Sequence, residues 1–239
     1  MTRDPTAARY GPYSDDIVSF QNPNSETYPD ELTEREQWMG ATATKKQPFA
    51  PWGSKNAPAE CNTDDCPADK ADEPECDCDA RFKWGFDGFW RTGDTVDRWP
   101  GNEIKHRAFI FKGSDPFLFI DGDDVRCPET GEVHPVFKAF LAQLGATWTE
   151  ISQSGGGIHA VYRGGVPDET HGKQAVLQID DESWGANDDD DLPEIEIYPT
   201  KRVGVLTGEH VPGTPVEVAD ADEDALLPIL DAHGKTDDN

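Results

Sequence analysis

The stretch Phe117-Leu-Phe-Ile-Asp121-Gly-Asp123-Asp124 constrains this chain more than any other. Its first half is an apolar run bounded by turn residues, the pattern of a short buried strand. Its second half breaks into carboxylates. Side chains alternate along a strand, so Asp121 and Asp123 point to the same face at its end. Two carboxylates held that close repel each other unless a cation lies between them. A divalent ion such as Mg²⁺ takes hard oxygen ligands, commonly one or two carboxylates together with substrate phosphates. The stretch therefore points to a metal-dependent phosphate chemistry. The bland alternative is a solvated acidic turn, of a kind common in a chain so rich in Asp.

The pattern on either side of this strand predicts an α+β domain with a mostly antiparallel sheet. Further strands are expected over 107–112, 147–151, 158–162, 175–179, 194–198 and 203–206. Residues 134–144 carry Val136, Phe137, Phe140, Leu141 and Leu144 at helical spacing, with Gly145 as the C-cap. A second helix is expected over 225–233, within a C-terminal segment 219–239 that ends as an acidic tail. Residues 1–30 are polar and rich in Pro, Asn and Ser, and read as a loosely ordered arm. Residues 31–39 read as a short helix capped by Thr33 before Glu34-Arg35-Glu36. Residues 45–52 read as an extended basic-aromatic segment, because the residue before each proline is pushed out of the helical region.

With a formal net charge of -27, the chain would repel nucleic acid in dilute salt. The acid is spread along the whole length, however, and this distribution suits the halophilic surface of a protein from a salt-saturated cytoplasm. There the Debye length falls to about 3 Å or less. Under that reading net charge says little about partners, and local basic residues say more. No apolar stretch is long enough for a membrane-spanning helix, and the N-terminus lacks an apolar signal core, so a cytoplasmic protein without a membrane partner is expected.

Two further segments carry chemistry. In Ser152-Gln-Ser154-Gly155-Gly-Gly157-Ile-His159, a Ser/Gly loop is expected to free backbone N–H groups for an anion, with His159 projecting beside it. The alternative is a flexible hairpin loop and a structural histidine. In Glu194-Ile-Glu196-Ile-Tyr198, alternation places Glu194, Glu196 and Tyr198 on one face. An inward-facing glutamate needs a partner, and a metal is one. Arg202, close behind, offers a fork of donors to phosphate.

Taken in order, D-x-D at a strand end, S-x-S-G-x-G-x-H opening a strand, and Glu-hydrophobic-Tyr followed by a basic residue and Thr207-Gly208 resemble the archaeo-eukaryotic primase superfamily. The pattern is most similar to the primase-polymerase domains of plasmid and phage replication proteins, particularly those of haloarchaea. Lys46-x-Pro48…Trp52 resembles the Lys-Pro element near the start of those domains, and Pro128-Glu-Thr-Gly131 resembles the turn after their first acidic pair. The likeness covers roughly residues 45–215 and implies a catalytic domain over 31–218 with an RRM-like sheet. It implies that Asp121, Asp123 and Glu196 bind Mg²⁺ or Mn²⁺, with Glu194 as the alternative to Glu196. His159 would contact the phosphates of the incoming nucleotide, and Ser152, Ser154, Gly155, Gly157 and Arg202 would complete the phosphate site. Val203-Gly-Val departs from the aromatic pair more usual after the arginine, which puts discrimination at the sugar in doubt. The activity implied is transfer of nucleotides from (d)NTPs to a DNA primer or an initiating nucleotide on a template, with a replicative helicase acting in trans.

Cys61, Cys66, Cys76 and Cys78 lie in the acidic stretch 53–80 and would remain reduced in a cytoplasm. Four thiolates can make a tetrahedral Zn²⁺ site. Their C-x4-C-x9-C-x-C spacing leaves free thiols equally open. Lys45, Lys46, Arg81, Lys83, Arg91 and Arg98, with Trp84 and Trp90, are candidates for a template track in which aromatics stack on bases. Core aromatics with solvated basic residues are the alternative. Two competing functions stay open: a non-catalytic nucleic-acid-binding module of the same fold, and a metal-dependent nuclease.

Overall fold

A computed structural model describes residues 27–42, 47–53, 80–82, 84–85, 87–100, 104, 106–164, 174–181, 184, 192–199 and 202–235. In chain order its elements are α1 (Asp30–Thr33), β1 (Trp38–Ala41), β2 (Pro48–Phe49), α2 (Gly93–Asp97), β3 (His106–Phe111) and β4 (Phe117–Asp123). They continue as α3 (Pro135–Leu144), β5 (Thr149–Ile151), β6 (Ile158–Arg163), β7 (Gln174–Gln178) and β8 (Glu194–Tyr198). The last are β9 (Arg202–Leu206), β10 (Ala219–Asp220), α4 (Glu223–His233) and β11 (Gly234–Lys235). The α+β class with a mostly antiparallel sheet is what the sequence pattern predicts. Four cysteines, Cys61, Cys66, Cys76 and Cys78, lie outside the described residues, as do Lys45, Lys46 and Lys83.

The chain divides into two compact units. The smaller runs from Asp30 to Ile110 and takes in Val203–Leu206. Its strands follow the order β2-β1-β3-β9. Trp38, Met39 and Ala41 are fully buried in β1, which pairs antiparallel with β3 from Trp38↔Phe109 to Ala41↔His106. This corrects the expectation of a helix over 31–39. Only α1 is helical there, and an isolated turn that short has little stability of its own. Burial of Trp38 and Met39 draws the following residues into a strand instead. Trp38 Nε1 donates to the Leu32 carbonyl at 2.7 Å, folding the helical turn back on β1. Thr33 does not cap the helix start; its hydroxyl donates to the Asp30 carbonyl.

The aromatic-rich segment of this unit packs inward. Trp52, Trp84 and Trp90 are partly buried against Met39, Phe89, Ala108 and Ile110. Trp90 Nε1 donates to the Trp84 carbonyl at 2.8 Å and Trp52 Nε1 to the Phe89 carbonyl at 2.7 Å. Arg81 and Arg91 lie over the rings of Phe49 and Trp52. These contacts favour packed aromatics over a row of open stacking platforms.

The larger unit combines Phe111–Arg202 with the stretch from Thr207 onward and the described residues before Asp30. Its sheet has the order β10-β6-β4-β8-β7-β11, with β5 paired to β6 off that path. The β4·β6, β4·β8, β5·β6 and β7·β8 pairs are all antiparallel, and β10·β6 is parallel. One face of the sheet carries Leu118, Ile120, Ile158, Ala160, Tyr162, Ile195 and Ile197, buried in a cluster with Phe137, Phe140 and Leu141 of α3 and Leu226 and Leu230 of α4. The helix α3 begins where its sequence says it should. Pro135 occupies the first turn, and the His134 ring accepts from the Val136 N–H in place of a missing helical partner. Thr27 and Tyr28, at the end of the expected arm, are anchored. The Thr27 carbonyl accepts from Trp148 Nε1 at 3.0 Å, and the Tyr28 and Trp148 rings lie 6.2 Å apart.

Candidate metal and nucleotide site

With one face of the central sheet spent on the helices, alternation sends the other residues of β4 the opposite way: Phe117, Phe119, Asp121 and Asp123. The register then aligns a polar row across the sheet. Asp121 pairs with His159 of β6 on one side and with Glu196 of β8 on the other. His159 in turn pairs with Glu150 of β5. Residues directly opposite one another share a face, so Glu150, His159, Asp121 and Glu196 form a line, with Asp123 two residues further along β4.

Carboxylate oxygens of Asp121, Asp123 and Glu196 all lie within 4.8 Å of one another. Of the two glutamates in β8, Glu196 joins this cluster, while Glu194 stands opposite Asp123. Three hard oxygen donors within that span match the needs of Mg²⁺ or Mn²⁺ and would repel one another without a cation. Arg202 Nη2 approaches Glu196 Oε2 at 3.8 Å, and the guanidinium lies 4.0 Å from the centre of the Tyr198 ring. Burial and a hydrogen bond to Glu196 push the Tyr198 phenol far above its ordinary pKa. Tyr198 is thus a neutral donor that helps orient Glu196.

His159 is nearly buried, with its Nδ1 2.7 Å from Glu150 Oε1 and its Nε2 3.3 Å from Asp121 Oδ1. Burial favours the neutral ring. The charge of Asp121, together with the charge and the hydrogen bond of Glu150, outweighs it and raises its pKa to about 10. The ring is therefore an imidazolium held between two carboxylates.

The Ser/Gly loop stands against the same end of β4. A side chain on Gly157 would come within 2.7 Å of the Gly122 carbonyl, so glycine permits this approach. The expectation of free amides in the loop is corrected, however. Gly155 N–H donates to the Ser152 carbonyl at 2.9 Å, Gly156 N–H to Ser154 Oγ at 3.3 Å and Gly157 N–H to Ser152 Oγ at 3.1 Å. Serine hydroxyls compete effectively for nearby backbone donors, and here they take the Gly156 and Gly157 amides, while the Ser152 carbonyl takes that of Gly155. The loop offers hydroxyls, with Ser152 and Ser154 Oγ 3.1 Å apart, in place of a ring of N–H groups.

Two residues of this region escaped the sequence reading. Arg126 is buried; its N–H donates to the Gly156 carbonyl at 2.8 Å and its guanidinium donates to the Gly155 carbonyl. Burial draws its pKa below the ordinary guanidinium value, opposed by Cys127 and Glu209. The other is Glu150, fully buried in β5. The available signal was an acid in a short strand at a spacing that lets a hairpin set it opposite His159, but only strand pairing makes that spacing meaningful.

No protein-family model matches the chain. A stretch of 106 residues is 33% identical to the DNA primase-polymerase of Nitratiruptor phage NrS-1. The match covers 44% of this chain and 13% of the phage protein, so the chain spans only a small part of that relative's length. No helix among the described residues is long and apolar enough to cross a membrane.

Proposed function

We propose that this chain is the nucleotidyl-transferase part of a DNA primase-polymerase. The observation that carries the reading is the convergence of Asp121, Asp123 and Glu196, drawn from two strands, on one spot beside His159. Similarity to a phage primase-polymerase supports the same reaction class.

In this reading Asp121, Asp123 and Glu196 hold one or two divalent cations, Mg²⁺ or Mn²⁺. Such ions, when bound, lower the pKa of an attacking hydroxyl and neutralise charge on the leaving phosphates. The residues of the chain do the positioning. His159 faces the metal position through Nε2 and donates to a phosphate oxygen of the incoming (d)NTP. Ser152 and Ser154 offer hydroxyls to the same triphosphate along the edge of the loop, which Gly155 and Gly157 allow to lie close to β4. Arg202, stacked on Tyr198 and 3.8 Å from Glu196, offers its fork of donors to the same triphosphate. The primer 3′-oxygen forms a bond to the α-phosphorus as the bond to the bridging oxygen breaks, and pyrophosphate leaves. Template and primer DNA are the macromolecular substrates, and a helicase in trans would supply the unwound strand.

Primer extension and de novo priming in concentrated KCl with Mn²⁺ test this, with wild type run beside the Asp121→Ala/Asp123→Ala double variant. Extension by wild type alone is the expected result. Equal extension by both proteins removes the assignment of the carboxylates. Extension by neither, with DNA binding retained, replaces it with a non-catalytic module.

A further inference from the structure

Glu150 is an ionisable side chain with no exposure to solvent. Burying a carboxylate is expensive unless several donors surround it. Here they do. Oε1 accepts from His159 Nδ1 at 2.7 Å. Oε2 accepts from Gly208 N–H at 2.7 Å, from Thr207 N–H at 3.0 Å and from the Thr207 hydroxyl at 3.2 Å. The Thr207 hydroxyl also reaches the Ile151 carbonyl at 2.6 Å, which ties this turn to β5. Oε1 also accepts from the Thr207 N–H at 3.1 Å, so Oε1 holds the histidine and shares with Oε2 the backbone at Thr207-Gly208.

We propose that Glu150 is a positioning residue for the reaction: by fixing the Nδ1 side of His159 it aims Nε2 at the metal and phosphate position. This rests on the primase-polymerase reading for its catalytic consequence, though not for its geometry. An imidazole has two edges, and without a partner at Nδ1 the ring of His159 could turn about its Cβ–Cγ bond and withdraw Nε2 from Asp121. Carboxylates that orient a metal-ligating histidine act through it, and their loss commonly costs about 10- to 100-fold in affinity or activity; the same order is expected where the histidine holds a phosphate. The network also explains why a short strand such as β5 carries a charged residue at a fully enclosed position.

Two measurements on the full chain test the inference. The first is nucleotide incorporation by Glu150→Gln, His159→Gln and the double variant. Glutamine keeps the shape but cannot accept on both sides, since its amide nitrogen would meet another donor. Glu150→Gln is expected to lower kcat/KM for the nucleotide about tenfold or more. The double variant should lose no more nucleotide incorporation than His159→Gln, because the histidine through which Glu150 reaches the reaction is already gone. Wild-type activity in Glu150→Gln, or losses that multiply in the double variant, overturns the proposal. The second measurement needs no activity. In the metal-free protein, a ring N–H proton of His159, assigned by its disappearance in His159→Gln, should be protected from exchange with solvent. It should lose that protection in Glu150→Gln. If Glu150→Gln does not fold, the wild-type spectrum decides alone: no protected His159 ring proton means no Glu150 clamp. A wild type without polymerase activity but with the protected proton refutes the primase-polymerase reading and leaves the clamp standing.

Discussion

Asp123 carries its carboxylate on the exposed end of β4, so replacing it probes the chemistry with little disturbance to packing. Asp123→Asn removes one of three charges that would hold the cation. Nucleotide incorporation should fall about 100-fold or more, by analogy with the loss of other charge-stabilising groups in active sites, while the thermal midpoint in EDTA stays the same or rises as repulsion is relieved. A calorimetric Mn²⁺ titration that shows unchanged affinity would count against Asp123 as a ligand. His159 gives a different signature. Its pKa is lifted from 6.5 to about 10. A group held above its unfolded-state value stabilises the native state fully below the lower number, and that contribution is lost as pH rises through the upper one. In EDTA, wild type should therefore lose stability relative to His159→Gln between pH 6.5 and about 10, as read by denaturant midpoints at fixed salt. A gap independent of pH over that window would mean the imidazolium does not exist. Both residues were visible in the sequence as motif members. Glu150 was not, because nothing local distinguishes an acid that is fully enclosed from one that faces water.

At the scale of elements, the glycine of Asp121-Gly122-Asp123 links the apolar and acidic halves of the site. Gly122 points toward the helices, and a side chain there would come within 2.5 Å of the Phe137 ring and 2.8 Å of Val125. Gly122→Ala should cost about 1–3 kcal/mol through overpacking. It should also lower activity, because relieving the clash moves the strand that carries both aspartates. Guanidinium unfolding and the incorporation assay would report the two effects separately; a neutral result in both would show that α3 yields freely. The Pro135–Leu144 helix was readable because its apolar spacing and the proline in its first turn agree with each other. The segment after Thr33 is rich in helix formers, Glu34, Arg35, Glu36, Gln37 and Met39, but that local preference is small and gives way to tertiary pairing. The burial of Trp38 and Met39, by contrast, is decided by β3, a strand distant in sequence.

The whole molecule carries a net charge of -27, and such self-repulsion opposes any compact state in dilute salt. Raising KCl from ~0.1 M to ~2 M shortens the Debye length from about 10 Å to under 3 Å. The midpoint of thermal unfolding should rise steeply across that range, and DNA binding should survive salt that abolishes it in most proteins. A flat or falling midpoint would reject the halophilic reading of the surface. The sequence by itself determined the strand that delivers Asp121 and Asp123, the face shared by Glu196 and Tyr198, and the general α+β architecture. Each of these depends on alternation or spacing within a few residues. Tertiary structure alone decided that His159 is clamped by Glu150, and it set Glu196, the glutamate the resemblance implies, within 4.8 Å of the aspartates. It alone decided that the loop serines take the glycine amides. The reason is physical: periodicity says which side of a strand a residue faces, but the register between strands says which residue it meets.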